Sequence, residues 1–408
     1  MRISRSKILP GLIVIWIVAL AIYFAFPPLE EKLLEGPHIL FDYLTWQNGA
    51  IDNWGYKILW IIGDLTEGTV HKSLIASIGL LIGGLVAHKL WLKKSDKMGN
   101  PICANLGVFP WVVAAAFIGM TVSTLLYSPS LKNGWMPTFL PGCTIPAALV
   151  FMYGGGWTVA LTGGIISGIV QFPMGCFGIK IATMLGLPSI SGNAIFGMAI
   201  AGILIMEFVR LLPWMKPIIK AKEEEKKKAA AAPLPELKAG ELPPLPPTVG
   251  TGVGWMTRRT LSDFTEIYFM GNEIAGAGLI LGLIISWVMN PAHPCYGGFT
   301  FTSAILASQL MGTSLAIFVH YDKWQKFGWY NTFTASLAQG AFVMTFGTSL
   351  PIIIIGALMS SFLCPLFAAA LSGKLTRYHG VVGGTGGMGI AIAIEAVIIK
   401  LIIPYLPI

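Results

Sequence analysis

Two acidic residues lie inside long apolar runs and are the first candidates for chemistry. Glu395 is flanked by Ile390–Ile394 and Ala396–Ile399, and Glu207 lies near the cytoplasmic end of a similar run. A charge in hydrocarbon is costly, so such a residue predicts a functional group or a buried ion pair. We expect Glu395 to carry a coupling proton or sodium ion, or to pair with a basic residue. For Glu207 the favoured interpretation is a structural pair with Arg210, three residues further on.

A second set of polar residues could bind a solute. Lys180 lies in a glycine-broken apolar stretch and could hold an anionic group, or pair with Glu395. Gln171, Asn193 and Gln339 are amides within or beside apolar runs, where they contact either a ligand or a neighbouring helix. We predict these four residues as candidates for substrate binding.

The glycine-rich run Gly384-Thr385-Gly386-Gly387-Met388-Gly389 matches the dinucleotide fingerprint GxGxxG. That fingerprint needs a preceding strand and a βαβ unit, and the surrounding sequence is apolar helix, so nucleotide binding is rejected. Two interpretations remain. The small residues pack closely against another helix, or Gly384, Thr385 and Gly386 form a helix start whose N–H groups face an anionic solute.

Several chemistries have no signature in this chain. GxxxxGK[ST], HExxH and GxSxG are absent, and the six His and five Cys show no metal-ligand or CxxC spacing. We therefore expect no ATP hydrolysis, no metal site, no cofactor and no enzymatic activity. Any energy input is expected to come from a proton or sodium gradient or from the solute itself.

The composition restricts the class of protein that can carry these residues. Of 408 residues, 55% are hydrophobic and 11% are charged, against roughly 25% charged in soluble proteins. This predicts an all-α, polytopic integral membrane protein in the cell membrane. Lys and Arg exceed Asp and Glu by 27 to 19, which we interpret as a topology signal and not as nucleic-acid binding.

The apolar runs predict ten or eleven transmembrane helices. The first, Ile8–Phe26, follows basic residues and places the N-terminus in the cytoplasm. The acid-rich segment Pro27–His71 carries Trp46, Trp54 and Trp60, which predicts an amphipathic stretch at the outer interface. Pro173–Pro188 has breakers at both ends and in its middle, so we predict a re-entrant piece there.

Four regions follow from these runs and from one hydrophilic stretch rich in Pro and charge. Residues 1–106 form a two-helix extension, 107–214 a first repeat, 215–263 a cytoplasmic linker, and 264–408 a second repeat. The sequence does not decide on which side of the membrane the C-terminus lies, because Leu350–Leu371 is predicted either to cross the membrane or to re-enter.

An internal duplication is predicted from two short matches. Gly156-Trp157 matches Gly328-Trp329 at an offset of 172 residues, and Gly197-Met198 matches Gly387-Met388 at an offset of 190. Broken helices at corresponding positions of two repeats mark the solute site in many transporters. The corresponding broken regions here would be Pro173–Pro188 and Leu350–Gly389. The predicted span count favours a parallel repeat over an inverted one.

Together these observations predict a secondary transporter that moves a small polar or anionic solute through a midplane site between two repeats. The expected partners are the lipid bilayer, the solute, and a homo-oligomer or partner subunit. The first alternative is a non-transporting membrane anchor or assembly subunit of a larger complex. The second is an integral membrane enzyme.

Overall fold

The computed structural model describes residues 3–100, 102–231, 246, 248–291 and 300–405, and within these ranges it is all helical, with no strand. The helices, numbered in chain order, are α1 (Leu9–Leu34), α2 (Tyr43–Asp52), α3 (Trp54–Asp64), α4 (Leu74–Leu92), α5 (Phe109–Tyr127), α6 (Ile145–Tyr153), α7 (Trp157–Met184), α8 (Ser189–Leu211), α9 (Lys216–Ala231), α10 (Gly252–Glu266), α11 (Glu273–Met289), α12 (Thr300–Val319), α13 (Tyr321–Phe327), α14 (Phe333–Phe346), α15 (Leu350–Lys374) and α16 (Gly380–Ile402).

Eight of these helices are long and apolar enough to cross a membrane: α1, α4, α5, α7, α8, α12, α15 and α16. Three shorter apolar helices accompany them, namely α6 with the turn before it, α11 and α14. The prediction of an all-helical protein with helices that could span a membrane is therefore confirmed for the described residues, with eight long apolar helices where the sequence predicts ten or eleven.

Helices α4 and α11 pack against each other in antiparallel fashion through glycines. A Cβ atom added at Gly79 would lie 2.1 Å from the carbonyl oxygen of Gly278, and one at Gly278 would lie 2.2 Å from that of Gly79. On either side of this crossing, Gly83 contacts the Ile274 carbonyl and Gly282 contacts the Ile75 carbonyl. Each helix thus presents a GxxxG stripe that lets the two backbones touch.

The predicted re-entrant piece Pro173–Pro188 is not found. Helix α7 runs without interruption from Trp157 to Met184 and contains Pro173. Proline lacks an N–H, so the carbonyl of Ile169 loses its usual helical partner. The hydroxyl of Tyr127 donates to this carbonyl at 2.7 Å, and a replacement donor of this kind is what allows proline inside a bilayer helix.

Helix α15 also runs unbroken through a proline, and a side chain from another helix again lies at the carbonyl that the proline leaves without a donor. Pro365 leaves the Ser361 carbonyl without its helical donor. The Nε2 atom of His320 lies 3.1 Å from that carbonyl. Leu350–Gly389 is therefore not a broken region, because it consists of two long helices joined by a short loop.

Short helices occur at other positions. Helix α6 has 9 residues and α14 has 14, too few to cross roughly 30 Å of hydrocarbon. Each ends at a glycine with positive φ, Gly154 at +95° and Gly347 at +101°, after which the chain turns into α7 or α15. Most residues of both helices are buried.

The stretch predicted as a linker, residues 215–263, is helical over much of its described length. Helix α9 covers Lys216–Ala231, while residues 232–245 and 247, which hold most of the prolines, lie outside the described residues. Helix α10, Gly252–Glu266, is not a surface helix, because its second half is buried. The segment therefore supplies part of the interior.

Candidate functional site

A cluster of three charged side chains lies in the interior where α3 passes into α4. The Nζ atom of Lys72 contacts Oδ1 of Asp64 and lies 2.6 Å from Oε2 of Glu67. All three side chains are fully enclosed, and the chain from Asp64 to Ser73 is buried throughout. We call Asp64, Glu67 and Lys72 the first cluster.

Tryptophans surround the first cluster. The ammonium group of Lys72 lies 3.6 Å from the ring centroid of Trp60 and 5.4 Å from that of Trp46, which allows cation–π attraction. The indole N–H of Trp135 donates to Oε1 of Glu67. Trp46 and Trp60 are therefore not interfacial as predicted, because they enclose a buried ammonium; Trp54 is exposed.

A second cluster of one aspartate, one glutamate and one basic side chain lies on α10. Arg259 donates two hydrogen bonds to Oδ1 of Asp263, at 2.6 and 3.0 Å, and contacts Oε1 of Glu266. The indole N–H of Trp329 donates to the other Glu266 oxygen at 3.2 Å. The guanidinium carbon of Arg259 lies 4.7 Å from the ring centroid of Trp324. We call Arg259, Asp263 and Glu266 the second cluster.

The two clusters share sequence and local geometry. Asp64-Leu65-Thr66-Glu67 and Asp263-Phe264-Thr265-Glu266 stand 199 residues apart. In each copy the threonine Oγ1 bonds to both the N–H and the carbonyl of the residue seven positions later, Ser73 or Asn272. Those two residues then cap the following helices, α4 and α11.

Backbone strain also recurs at the same offset. Val70 has φ of +67° and Phe269 has φ of +59°. A β-branched or aromatic residue in this left-handed region costs of order 1–3 kcal/mol and persists only where the surroundings impose it.

The two buried loops touch each other at equivalent residues. The hydroxyl of Tyr268 lies 2.9 Å from Oγ1 of Thr69 and accepts from the Thr69 N–H at 2.8 Å. Thr69 and Tyr268 are themselves 199 residues apart in the chain. Beside this contact, the amide oxygen of Gln309 accepts from Nε2 of His71 at 2.8 Å, and its amide nitrogen donates to the Thr69 carbonyl at 2.8 Å.

Each cluster borders one cavity. The Glu67 cavity has a volume of about 210 Å³ and the Glu266 cavity about 330 Å³. Six lining residues of one cavity have a counterpart in the other at a chain separation of 191 to 199 residues: Glu67 with Glu266, Val70 with Phe269, Trp135 with Trp329, Phe139 with Phe333, Ile190 with Val381, and Phe151 with Met344.

The two cavities lie toward opposite ends of the α4–α11 pair. Ser73 caps the start of α4 and Asn272 caps the start of α11, and the helices are antiparallel with Gly79 facing Gly278. With a rise of 1.5 Å per residue, the two caps are roughly 18 Å apart along the pair. The Thr69–Tyr268 contact lies between the two loops.

Burial raises the pKa of the glutamate in each cluster. Burial raises the pKa of Glu67 well above its usual value; Lys72 opposes this shift and the Asp64 carboxyl adds to it. Burial raises the pKa of Glu266 to about 8, against the effect of Arg259 and with a further contribution from Asp263. Burial lowers the pKa of His379, which also lines the Glu266 cavity, to about 4.

The predicted pair of Lys180 and Glu395 is not formed. Lys180 is exposed on α7, whereas Glu395 is fully buried on α16. Cys364 lies with its Sγ 3.3 Å from Oε1 of Glu395, and the other carboxyl oxygen is buried without a hydrogen-bond partner. Glu395 lines neither of the two cavities described above.

The predicted partner of Glu207 is confirmed. Arg210 binds Glu207 at 2.6 Å, and Arg377 binds its other oxygen at 2.8 Å. This geometry supports the structural interpretation of Glu207, and its role in ion coupling stays an untested prediction.

The three predicted amides are all buried. Gln171 donates to Thr144 at 2.7 Å and to the Gly197 carbonyl at 3.0 Å, and Gln339 donates to Ser360. The amide oxygens of all three are buried without a hydrogen-bond partner. Asn193 differs from the other two because it lines the Glu67 cavity, which neither Gln171 nor Gln339 does.

The glycine-rich run does not form a helix start. Helix α16 begins at Gly380, with His379 as its cap, so Gly384, Thr385 and Gly386 lie in its second turn. Thr385 donates to the Val381 carbonyl at 2.8 Å, and Gly386 contacts Ala199 and Leu371. Close packing is therefore the interpretation that fits. The true helix start, at Gly380 and Val381, borders the Glu266 cavity.

The six cluster residues were not among the predicted site residues. They lie outside the long apolar runs, and a charge in a polar segment is ordinarily solvated. Their signal was the recurrence of Asp-x-Thr-Glu ahead of a GxxxG helix. No protein-family model matches the chain, and no curated protein matches it. The fold itself defines an all-helical protein with helices long and apolar enough to span a membrane.

Proposed function

We propose that this protein is a membrane transporter that moves a small polar solute between two related cavities. The observation that carries the proposal is the correspondence of the two cavities. Equivalent residues line both, each cavity borders a buried glutamate, and the two lie toward opposite ends of one antiparallel helix pair.

An inverted repeat underlies this proposal. Asp64 to Gly83 align with Asp263 to Gly282 at an offset of 199, Gly134-Trp135 with Gly328-Trp329 at 194, Pro173 with Pro365 at 192, and Gly197 with Gly387 at 190. The match of Gly197 with Gly387 is also predicted from the sequence alone. The predicted match of Gly156-Trp157 with Gly328-Trp329 is replaced, because Gly134-Trp135 takes its place. Offsets that decline in small steps are typical of a duplication with a few deletions.

The orientation of the repeats follows from α4 and α11. These helices hold equivalent sequences and pack antiparallel about Gly79 and Gly278. A two-fold axis along the membrane normal would make equivalent helices parallel, so the axis lies in the membrane plane. The repeat we propose is accordingly inverted and not parallel, and inverted repeats place the solute site at their interface.

The proposed barrier between the cavities is the meeting point of the two buried loops. Thr69 and Tyr268 bond to each other there, and Gln309 holds the first loop. Separating these residues would connect the cavities, whereas the present contacts close the path.

The lining favours a small polar solute that is neutral or cationic over an anionic one. Aromatic and aliphatic side chains form most of both walls, and each cavity presents a carboxyl group. Lys180, the residue that suggested an anion, is exposed on α7.

Cysteine labelling tests the proposal with one matched pair. Phe151 and Met344 are equivalent, partly exposed residues of the two cavities. In a background with Cys176 and Cys295 replaced by Ser, we expect Phe151→Cys and Met344→Cys to react with a membrane-impermeant maleimide from opposite sides of the membrane.

Ala148→Cys is the control, since Ala148 lies one turn from Phe151 on α6 and is fully buried; we expect it to stay unlabelled. Labelling of both cavity positions from the same side would overturn the inverted arrangement. Uptake by proteoliposomes of a solute that also slows labelling at either position would identify the solute.

A further inference from the structure

Each charged cluster holds two carboxyl groups and a single cation. Lys72 faces Asp64 and Glu67, and Arg259 faces Asp263 and Glu266. With every group ionised, each cluster would bury one uncompensated negative charge, which is strongly unfavourable. One bound proton per cluster removes that charge.

The first cluster offers a place for this proton. Both carboxyl groups contact the single ammonium group of Lys72, so one bound proton makes the three side chains neutral. The nearby charge of Asp64 raises the pKa of Glu67 further, which favours the proton on Glu67.

In the second cluster the proton belongs to the glutamate. Both oxygens of Asp263 are already bonded, one to Arg259 and the other to the Thr332 hydroxyl at 2.7 Å. Glu266 accepts from Arg259 and, more weakly at 3.2 Å, from Trp329.

The cavity linings also select the glutamates. Glu67 and Glu266 are among the residues that line the two cavities, whereas Asp64 and Asp263 are not. The glutamate is therefore the carboxyl group of each cluster that borders a cavity.

We propose that Glu67 and Glu266 are a matched pair of proton-binding groups, each exchanging one proton with the cavity that it lines. Their role in coupling rests on the proposed transport function, whereas the proton binding itself does not. Within the described residues, the other titratable or charged groups that face them are Lys72, Asp64, Tyr43, Cys143 and Tyr268 for Glu67, and Arg259, Asp263, Glu273 and His379 for Glu266.

Infrared difference spectroscopy of the reconstituted full-length protein tests this proposal. The C=O stretching band of protonated carboxyl groups is recorded between acidic and alkaline pH. We expect the part of the pH-dependent band that titrates above the ordinary carboxyl range to be reduced in Glu67→Gln and in Glu266→Gln, and to be reduced further in the double variant. Glutamine imitates the protonated side chain, so the clusters stay neutral and the variants are expected to fold.

Glu207→Gln is the matched control. Glu207 is paired with two arginines, so its replacement should leave the band unchanged. A band that survives in the double variant and disappears in Glu395→Gln would overturn the proposal in favour of Glu395.

Two further variants keep the test valid if Glu67→Gln fails to fold. Trp135→Phe and Trp329→Phe remove the indole donors to Glu67 and Glu266 without changing charge. A donor to a carboxylate stabilises its ionised form, so each variant should shift the midpoint of its glutamate band to higher pH. An unshifted midpoint in both would contradict the assignment.

The two proposals fail in different ways. If both cavity cysteines are labelled from the same side and the glutamate bands still titrate, the transport model is wrong and the proton sites remain. If the cysteines are labelled from opposite sides and no glutamate band titrates, the proton sites are wrong and the transport model remains.

Discussion

At the scale of single residues, the decisive feature is that a buried charge is placed beside an indole. In both clusters a cation packs against a tryptophan ring while another tryptophan N–H binds a glutamate. The basic residue is not at an equivalent position, since Lys72 follows its acids and Arg259 precedes them. The two clusters therefore reach the same electrostatic arrangement with basic side chains from different positions.

The pH dependence of stability is predicted at this scale. Glu266 has a pKa of about 8 in the folded protein against 4.5 when unfolded, so between these values the folded state binds more protons. Stability from this group is complete below pH 4.5 and is lost as pH rises through about 8. Burial lowers the pKa of His71 and of His379 to about 4 from 6.5, so their opposing effect ends near pH 6.5.

Thermal unfolding in detergent between pH 6.5 and 9 checks this expectation. The midpoint temperature should fall with rising pH, and the slope should be smaller in Glu266→Gln. A midpoint that rises across this interval would contradict the assigned direction.

At the scale of helices, proline in a long apolar run does not by itself indicate a break. Pro173 and Pro365 each leave a carbonyl without its helical donor, and Tyr127 and His320 lie within hydrogen-bonding distance of these carbonyls. A sequence shows the proline but not the donor from another helix. For this reason the sequence predicts a re-entrant piece at Pro173–Pro188, where the structure has a continuous helix.

A double-mutant cycle tests the role of Tyr127. Tyr127→Phe leaves the Ile169 carbonyl unpartnered and should cost about 1–3 kcal/mol of unfolding free energy. In the presence of Pro173→Ala, which restores a helical N–H, the same change should cost much less. Equal costs in the two backgrounds would show that the hydroxyl does not replace the missing donor. Chemical unfolding followed by fluorescence provides the measurement.

At the scale of the whole molecule, the class of protein could be predicted from sequence but the arrangement of its halves could not. Composition and hydropathy predicted the membrane-spanning helices, because burial in lipid constrains every residue of a span. In the sequence, the register of the predicted repeat depends on Gly156-Trp157, and glycine-rich chains produce accidental matches of that length. The register that we propose instead is supported by α4 and α11, because Gly79 and Gly278, 199 residues apart, contact each other reciprocally.

The proposed transport cycle predicts reciprocal exposure of the two cavities. A solute or pH that increases maleimide labelling of Phe151→Cys should decrease labelling of Met344→Cys, because opening one cavity closes the other in alternating access. Parallel increases at both positions would indicate a continuous channel. Labelling rates measured on the same preparation provide the comparison.

The contact between Thr69 and Tyr268 also bears on how such a chain arose. If a half-length ancestor paired with an inverted copy of itself, this position would have joined two identical side chains across a dimer axis. Fusion of the halves would then have released the two positions from identity. Each could change alone after that, which would explain why the short hydroxyl of Thr69 now meets the long side chain of Tyr268. Directionality in a transporter of this design can therefore begin with one substitution at the axis.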